Sequence, residues 1–342
     1  MCRRCSGIGV RPLQYAHRVA AAPADFAKGE RARAVAWKQT SLSLPEEARL
    51  PAQYVGKEGA TEGPLYHFCV PVDYAHYTLL PEVRDMALGL FAELGIPWHP
   101  GVGDGPSNHL LSSQVQCVNA LGQMVFDPAR VVRAFGPVLG TAEVEQIEPG
   151  RWLTFEYIGP DDVLHEAVDG VRTRGARCTS VDAAFLHRTA DGVRELVLVE
   201  WKYTESYTQT PADPRRDRVR LERYGDLLSA ADGPVDGSLL PFEELLQEPL
   251  YQLMRQQLLA YELEKREVLG AQRVVVAHVQ SPGNIAYQRS LFGPVARTLG
   301  STVDEVWRRL LRHRDRFTTI DSAVFADPTV TSDEYVSRYG AT

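Results

Sequence analysis

Residues 178–205, CTSVDAAFLHRTADGVRELVLVEWKYTE, carry the reading that decides the fold. Ser180 to His187 and Glu195 to Lys202 are rich in β-branched and aliphatic residues, and Ala190-Asp191-Gly192 between them is turn chemistry, so the stretch predicts a β-hairpin. Alternation along the second strand puts Leu196, Leu198, Glu200 and Lys202 on one side, with the carboxylate and the ammonium about 7 Å apart. A two-residue turn would make opposed residue numbers sum to 383 and send Asp182 to the wrong face; a three-residue turn makes them sum to 382 and sets Asp182 across from Glu200. The three-residue form needs a left-handed residue at its end, and Gly192 is the type that fits there.

Two carboxylates with open positions around them suit Mg²⁺ or Mn²⁺, hard cations that prefer oxygen, so Asp182 and Glu200 are the candidate metal ligands. Lys202 can hold and polarise an attacking water and offset charge that builds on a phosphorane. The bland reading of the same residues is a solvated outer face with a surface ion pair. Against it, the second strand is apolar on both faces (Leu196, Val197, Leu198, Val199), as a central strand should be. That places the charges at a sheet terminus, with Asp182 one hairpin away and Trp201 rather than more charge beside Glu200.

Asp182, Glu200 and Lys202 stand at the three signature positions of the PD-(D/E)xK nuclease superfamily, which the chain resembles; Val181-Asp182 replaces the Pro-Asp of the name. The resemblance looks closest to an uncharacterised restriction-endonuclease-like family, through SNHLLSSQVQCVNALG, CTSVDAAF, EWKYTESY and EPLYQLMRQQLLAYELEK, over about residues 105 to 320. It implies an αβββαβ core with a mixed central sheet, and phosphodiester hydrolysis dependent on a divalent metal. The implied partner is nucleic acid, most readily DNA cut as an endonuclease. The alternatives are a RecB-type exonuclease, or an inactive nucleic-acid-binding or scaffold protein on the same fold. In the superfamily the first core helix often delivers a polar or acidic residue to the metal, which brings forward Gln114. Gln257 and Tyr261 resemble the Gln-x-x-x-Tyr pair of RecB-type nucleases, so Gln257 joins the candidate catalytic residues, although Tyr261 as core and Gln257 as boundary fits equally.

Composition agrees with a globular α/β protein: 342 residues, 44% hydrophobic and 24% charged. A formal net charge of −7 does not advertise a nucleic-acid binder, so the contact must be a local basic patch. Arg216, Arg220 and Arg223 share a face of a helix expected over 213–224, and Arg174 lies in a basic glycine-containing loop (Arg172 to Arg177); both segments fit phosphate contacts or ordinary surface pairs. Five cysteines form no disulfide framework, Cys2 and Cys5 lack a second ligand pair, and no cysteine follows Glu200, which argues against an iron-sulfur cluster. His67, His76 and His99 match no metal motif and read as surface or structural. No Gly-Lys-Ser/Thr phosphate loop occurs, nor an apolar run near the ~18 residues of a membrane span, so a cytoplasmic protein without membrane contact is expected, with a homodimer compatible.

The Pro- and Gly-rich stretch 97–106 marks a boundary. The expected division is therefore 1–104 as an N-terminal extension packed on the core, 105–282 as the nuclease core with a basic insertion near 208–245, and 283–342 as a C-terminal helical extension. Within these, helices are expected over 81–95, 107–121, 248–269 and 302–313. Strands are expected over 152–158 and 273–279, the latter parallel to a hairpin strand, while 141–148 is ambiguous and Glu156 and Glu166 have no spacing argument to separate them from surface glutamates.

Overall fold

The hairpin forms as its turn dictates. In the computed structural model, which describes residues 25–56 and 63–340, strands Val181–Thr189 and Arg194–Trp201 pair antiparallel with Ala183 opposite Val199 and Arg188 opposite Arg194. Every pair has the parity of the three-residue turn. Gly192 sits at φ 85°, and its N–H donates to the Thr189 carbonyl at 2.9 Å. Asp182 and Glu200 therefore face the same side of the sheet, as alternation requires.

The six-stranded sheet grows outward from this pair. Its strands are β1 (Thr141–Glu145), β2 (Leu153–Tyr157), β3 (Val181–Thr189), β4 (Arg194–Trp201), β5 (Arg273–Gln280) and β6 (Phe317–Asp321). β1 and β2 are both antiparallel to β3 and share its outer edge: β2 pairs the half that carries Asp182, and β1 the half nearer the turn. On the other side β5 runs parallel to β4, and β6 parallel to β5. The mixed sheet with helices on both faces matches the restriction-endonuclease-like fold class expected.

The helices are α1 (Asp25–Thr40), α2 (Arg84–Leu94), α3 (Ser113–Leu121), α4 (Pro128–Leu139), α5 (Pro214–Ser229), α6 (Leu250–Lys265), α7 (Val303–Leu310) and α8 (Asp333–Tyr339), with shorter turns between them. Side-chain parity sorts the core into two layers. Ala183, Phe185, Val197 and Val199 pack with α2, α3 and α4; Ala184, Leu186, Leu196 and Leu198 pack with α6 and α7. Truncating one of these fully buried leucines to Ala should cost about 2–5 kcal/mol.

Several elements depart from the expectations above. α3 starts at Ser113 and is capped by Ser112, whose hydroxyl accepts from Val115 N–H, whereas Ser107 lies upstream in a loop. α4 was not anticipated, although Asp127-Pro128 at its start and Gly140 at its end are ordinary capping chemistry. The segment beyond residue 282 also supplies β6, so the chain after β5 is not wholly helical. α8 then returns to α1, where Glu334 accepts from Trp37, Ser41 and Ser43, and Arg338 lies buried over the Trp37 ring. Cys2 and Cys5 lie outside the described residues. No helix among those residues is long and apolar enough to cross a membrane.

Candidate active site

Strand pairing brings a row of polar residues across the sheet near one end. Glu200 on β4 lies opposite His278 on β5, and the hairpin parity sets Asp182 opposite Glu200. β2 pairs Phe155 with Ala183 and Tyr157 with Val181, so Glu156 falls opposite Asp182. Three carboxylates thus stand on three neighbouring strands, where opposed Cβ atoms are about 5 Å apart. Glu156 takes a left-handed φ of 48°, uncommon for a side chain of its size. Gly175 packs against it, and a Cβ there would come within 3.1 Å of the carboxyl carbon.

Each carboxylate has its own surroundings. Asp182 accepts from Trp201 N–H at 2.7 Å through one oxygen, while the other accepts nothing among the described residues. Glu156 accepts from Ser180 Oγ at 2.9 Å and from the Gln114 amide at 3.1 Å. Glu200, 1% exposed, meets Lys202 Nζ through Oε1 and the Gln256 amide through Oε2. Lys202 also donates to Gln252 Oε1 at 2.6 Å. Burial, then the neighbouring Glu200 and Glu156, push the Asp182 carboxyl well above the usual range. Burial also pushes Glu156 up to about 7, against the lowering effect of Ser180 and Gln114 and with a further push from Glu200. For Lys202 burial alone would favour the neutral amine; the charges around it, Glu200 foremost, outweigh burial and hold it well above the ordinary lysine value.

Asp182, Glu200 and Lys202 therefore meet in one place. Gln114, on the first core helix, reaches the row through Glu156 and also accepts from His99 N–H at 2.8 Å. Gln257 does not join them. Its amide points toward the Arg316 carbonyl at 3.5 Å, and Tyr261 donates to Asp232 at 2.9 Å on the far side of α6. The glutamines that reach the site are Gln252 and Gln256, one helical turn apart. A one-residue error in helical phase separates that expectation from the structure.

The arginines divide. Arg174, expected as a phosphate contact, is paired here with Glu148 and donates to Thr154 Oγ1 at 2.9 Å. Arg216 and Arg220 line a cavity of about 490 Å³ away from the carboxylates; Arg220 lies 3.6 Å from Asp217 and over the Tyr251 ring. Arg223 lines the cleft that holds the carboxylates. That cleft opens on both sides of the row, as spaces of about 410 and 420 Å³ that share Glu156, Asp182, Glu200, His99 and Gln252. His99, expected to be surface or structural, borders both and contacts the Gly175 carbonyl at 2.7 Å. Glu166 is enclosed, accepting from Tyr224 Oη at 2.5 Å and Thr179 Oγ1 at 2.8 Å.

Among the described residues no three His, Cys, Asp or Glu side chains converge tightly enough to cage a metal ion. The donor chemistry nevertheless suits a hard divalent cation that keeps several waters, because carboxylate oxygens face an open cleft and one Asp182 oxygen has no protein donor.

A family model described as "Restriction Endonuclease associating with ARP" matches residues 31–340, and the chain belongs to that family. The match takes in both the N-terminal layer and the returning α8 as well as the sheet. No curated protein and no solved structure matches the chain.

Proposed function

We propose that this member of a restriction-endonuclease family is a divalent-metal-dependent nuclease that hydrolyses phosphodiester bonds, with DNA cut internally as its substrate. The observation that carries the reading is the convergence of Asp182, Glu200 and Lys202 in one cleft, set by hairpin parity and backed by Gln252 and Gln256. Asp182 and Glu200 are the residues that would hold Mg²⁺ or Mn²⁺, whose chemistry when bound is to stabilise charge on the oxygens of the reacting phosphate. Lys202 stays protonated beside them, so it acts as a donor that orients water and meets developing negative charge, not as the group that removes a proton. Gln252 fixes the Lys202 ammonium and Gln256 fixes Glu200, which keeps both side chains in place before substrate arrives. Glu156, with its proton affinity raised to near neutrality, is suited to take a proton from water in the same cleft.

The test is direct. Purified protein is incubated with supercoiled, linear and single-stranded DNA in Mg²⁺ or Mn²⁺ and in EDTA. Cutting should require metal, and supercoiled substrate should be nicked or linearised. Asp182→Asn, Glu200→Gln and Lys202→Ala should each lower the rate by on the order of 10²-fold or more. Parent-like rates in all three variants would remove this site from the reaction. The family description names an association with ARP, and a binding partner for this chain is part of the same proposal.

A further inference from the structure

One wall of the cleft is basic in a way the hairpin does not account for. The space of about 420 Å³ beside Asp182 and Glu200 is bordered by Arg177, Arg223 and Arg255, which come from the loop before β3, from α5 and from α6. Arg255 is the most telling. Its Nε is enclosed and has no acceptor, its Nη1 has only the Thr179 hydroxyl at 3.3 Å, and its guanidinium rests 4.9 Å from the Tyr251 ring centre. Two carboxylates lie near it: Glu166 is already taken by Tyr224 and Thr179, and Glu248 makes no ion pair with it. Arg177 and Arg223 make no ion pair or side-chain hydrogen bond among the described residues. Arg177 also holds a left-handed φ of 63°, an unusual conformation for arginine and one that clusters at ligand-binding positions.

Cations brought from three separate elements to one cavity, none of them ion-paired to a carboxylate among the described residues, describe an anion pocket. We propose that Arg177, Arg223 and Arg255 grip a phosphate of the nucleic-acid strand next to the one to be hydrolysed beside Asp182, Glu200 and Lys202. This deepens the nuclease reading and rests on it. The pocket holds the strand in register by its backbone and is indifferent to base identity. Carboxylates share the cleft and weaken its attraction for a phosphate, a repulsion that Glu200→Gln relieves in part.

The experiment uses the full chain carrying Glu200→Gln, in EDTA, with binding of a fluorescent single-stranded oligonucleotide read by anisotropy over a range of salt. Adding Arg177→Ala, Arg223→Ala and Arg255→Ala should lower the slope of log affinity against log salt by ~0.7, the share of one phosphate contact on a single strand. Arg223→Ala alone, at a half-exposed helix position, should lower it by a measurable part of that and guards against misfolding of the triple variant. Arg255→Lys should not recover the loss, since an ammonium cannot reproduce the guanidinium fork. Oligonucleotides with a terminal phosphate, with a terminal hydroxyl, or with one neutral methylphosphonate link at successive positions distinguish the sources: a terminal monoester or an internal diester. Unchanged slopes in folded triple and Arg223→Ala proteins would overturn the pocket. If the parent cuts DNA with Mg²⁺ while those slopes stay unchanged, the pocket alone falls; a parent that neither binds nor cuts removes the nuclease reading and the pocket together.

Discussion

Replacing Glu156 with Gln removes one of three carboxylates crowded onto neighbouring strands while keeping a side chain whose oxygen can still accept from Gln114 and whose amide can donate to the Ser180 hydroxyl. Glu156 is only 8% exposed, and its proton affinity rises from the ordinary 4.5 to about 7, chiefly through burial and then through Glu200. A carboxyl whose folded value lies above its unfolded value stabilises the fold fully below about 4.5 and loses that contribution as pH climbs through 7. At ~1.36 kcal/mol per tenfold change in proton affinity, the full effect is about 3 kcal/mol, of which about 2 kcal/mol disappears between roughly pH 5.5 and pH 8. Asp182 shifts in the same direction and adds to the loss. Urea unfolding in EDTA at those two pH values reads the effect. The metal-free parent should be less stable at the higher pH, and Glu156→Gln should flatten the difference by about 2 kcal/mol. Part of that flattening comes from Asp182, whose rise owes something to the Glu156 charge. Parent and variant with the same pH dependence would show that Glu156 is not part of the carboxylate cluster.

Two further outcomes test the site's framework. Gln256→Leu should lower metal-dependent cleavage by at least about tenfold by freeing Glu200, whereas Gln257→Leu should leave turnover near the parent's while altering stability; steady-state assays on matched protein decide between them. Gly192→Ala introduces a Cβ that meets nothing within 4 Å, so its cost is the left-handed backbone alone, about 1 kcal/mol or somewhat more in a chemical melt.

The hairpin was legible because pairing parity and turn chemistry are both local: once Gly192 ends a three-residue turn, the face of Asp182 follows by counting. Helical phase on α6 was not. Leu253, Met254, Gln256, Gln257, Leu258 and Leu259 are all buried, so the helix offers no single apolar stripe from which to tell which glutamine turns to the sheet. Glu156 was indistinguishable from a surface glutamate because its role depends on pairing between β2 and β3, some 25 residues apart in the chain, and on a positive φ that no spacing rule signals. β6 escaped notice for a related reason. Phe-Thr-Thr-Ile-Asp is a five-residue strand with two threonines, and its partner β5 lies far upstream. The arginine cluster on α5 was seen, but the division of its face between two cavities depends on Tyr251 and the loop before β3.

Hairpin tips are where homologous proteins ordinarily gain and lose residues at little cost, since the backbone there is exposed and makes few contacts. The tip at residues 190–192 is an exception of an arithmetic kind. Insertion or deletion of a single residue either leaves β3 and β4 in place around a misfit turn, or slides one strand by one and turns Asp182 toward the layer that holds Trp201. Among descendants of this gene, substitutions at Ala190 and Asp191 should drift freely, while the length of the loop should not drift at all.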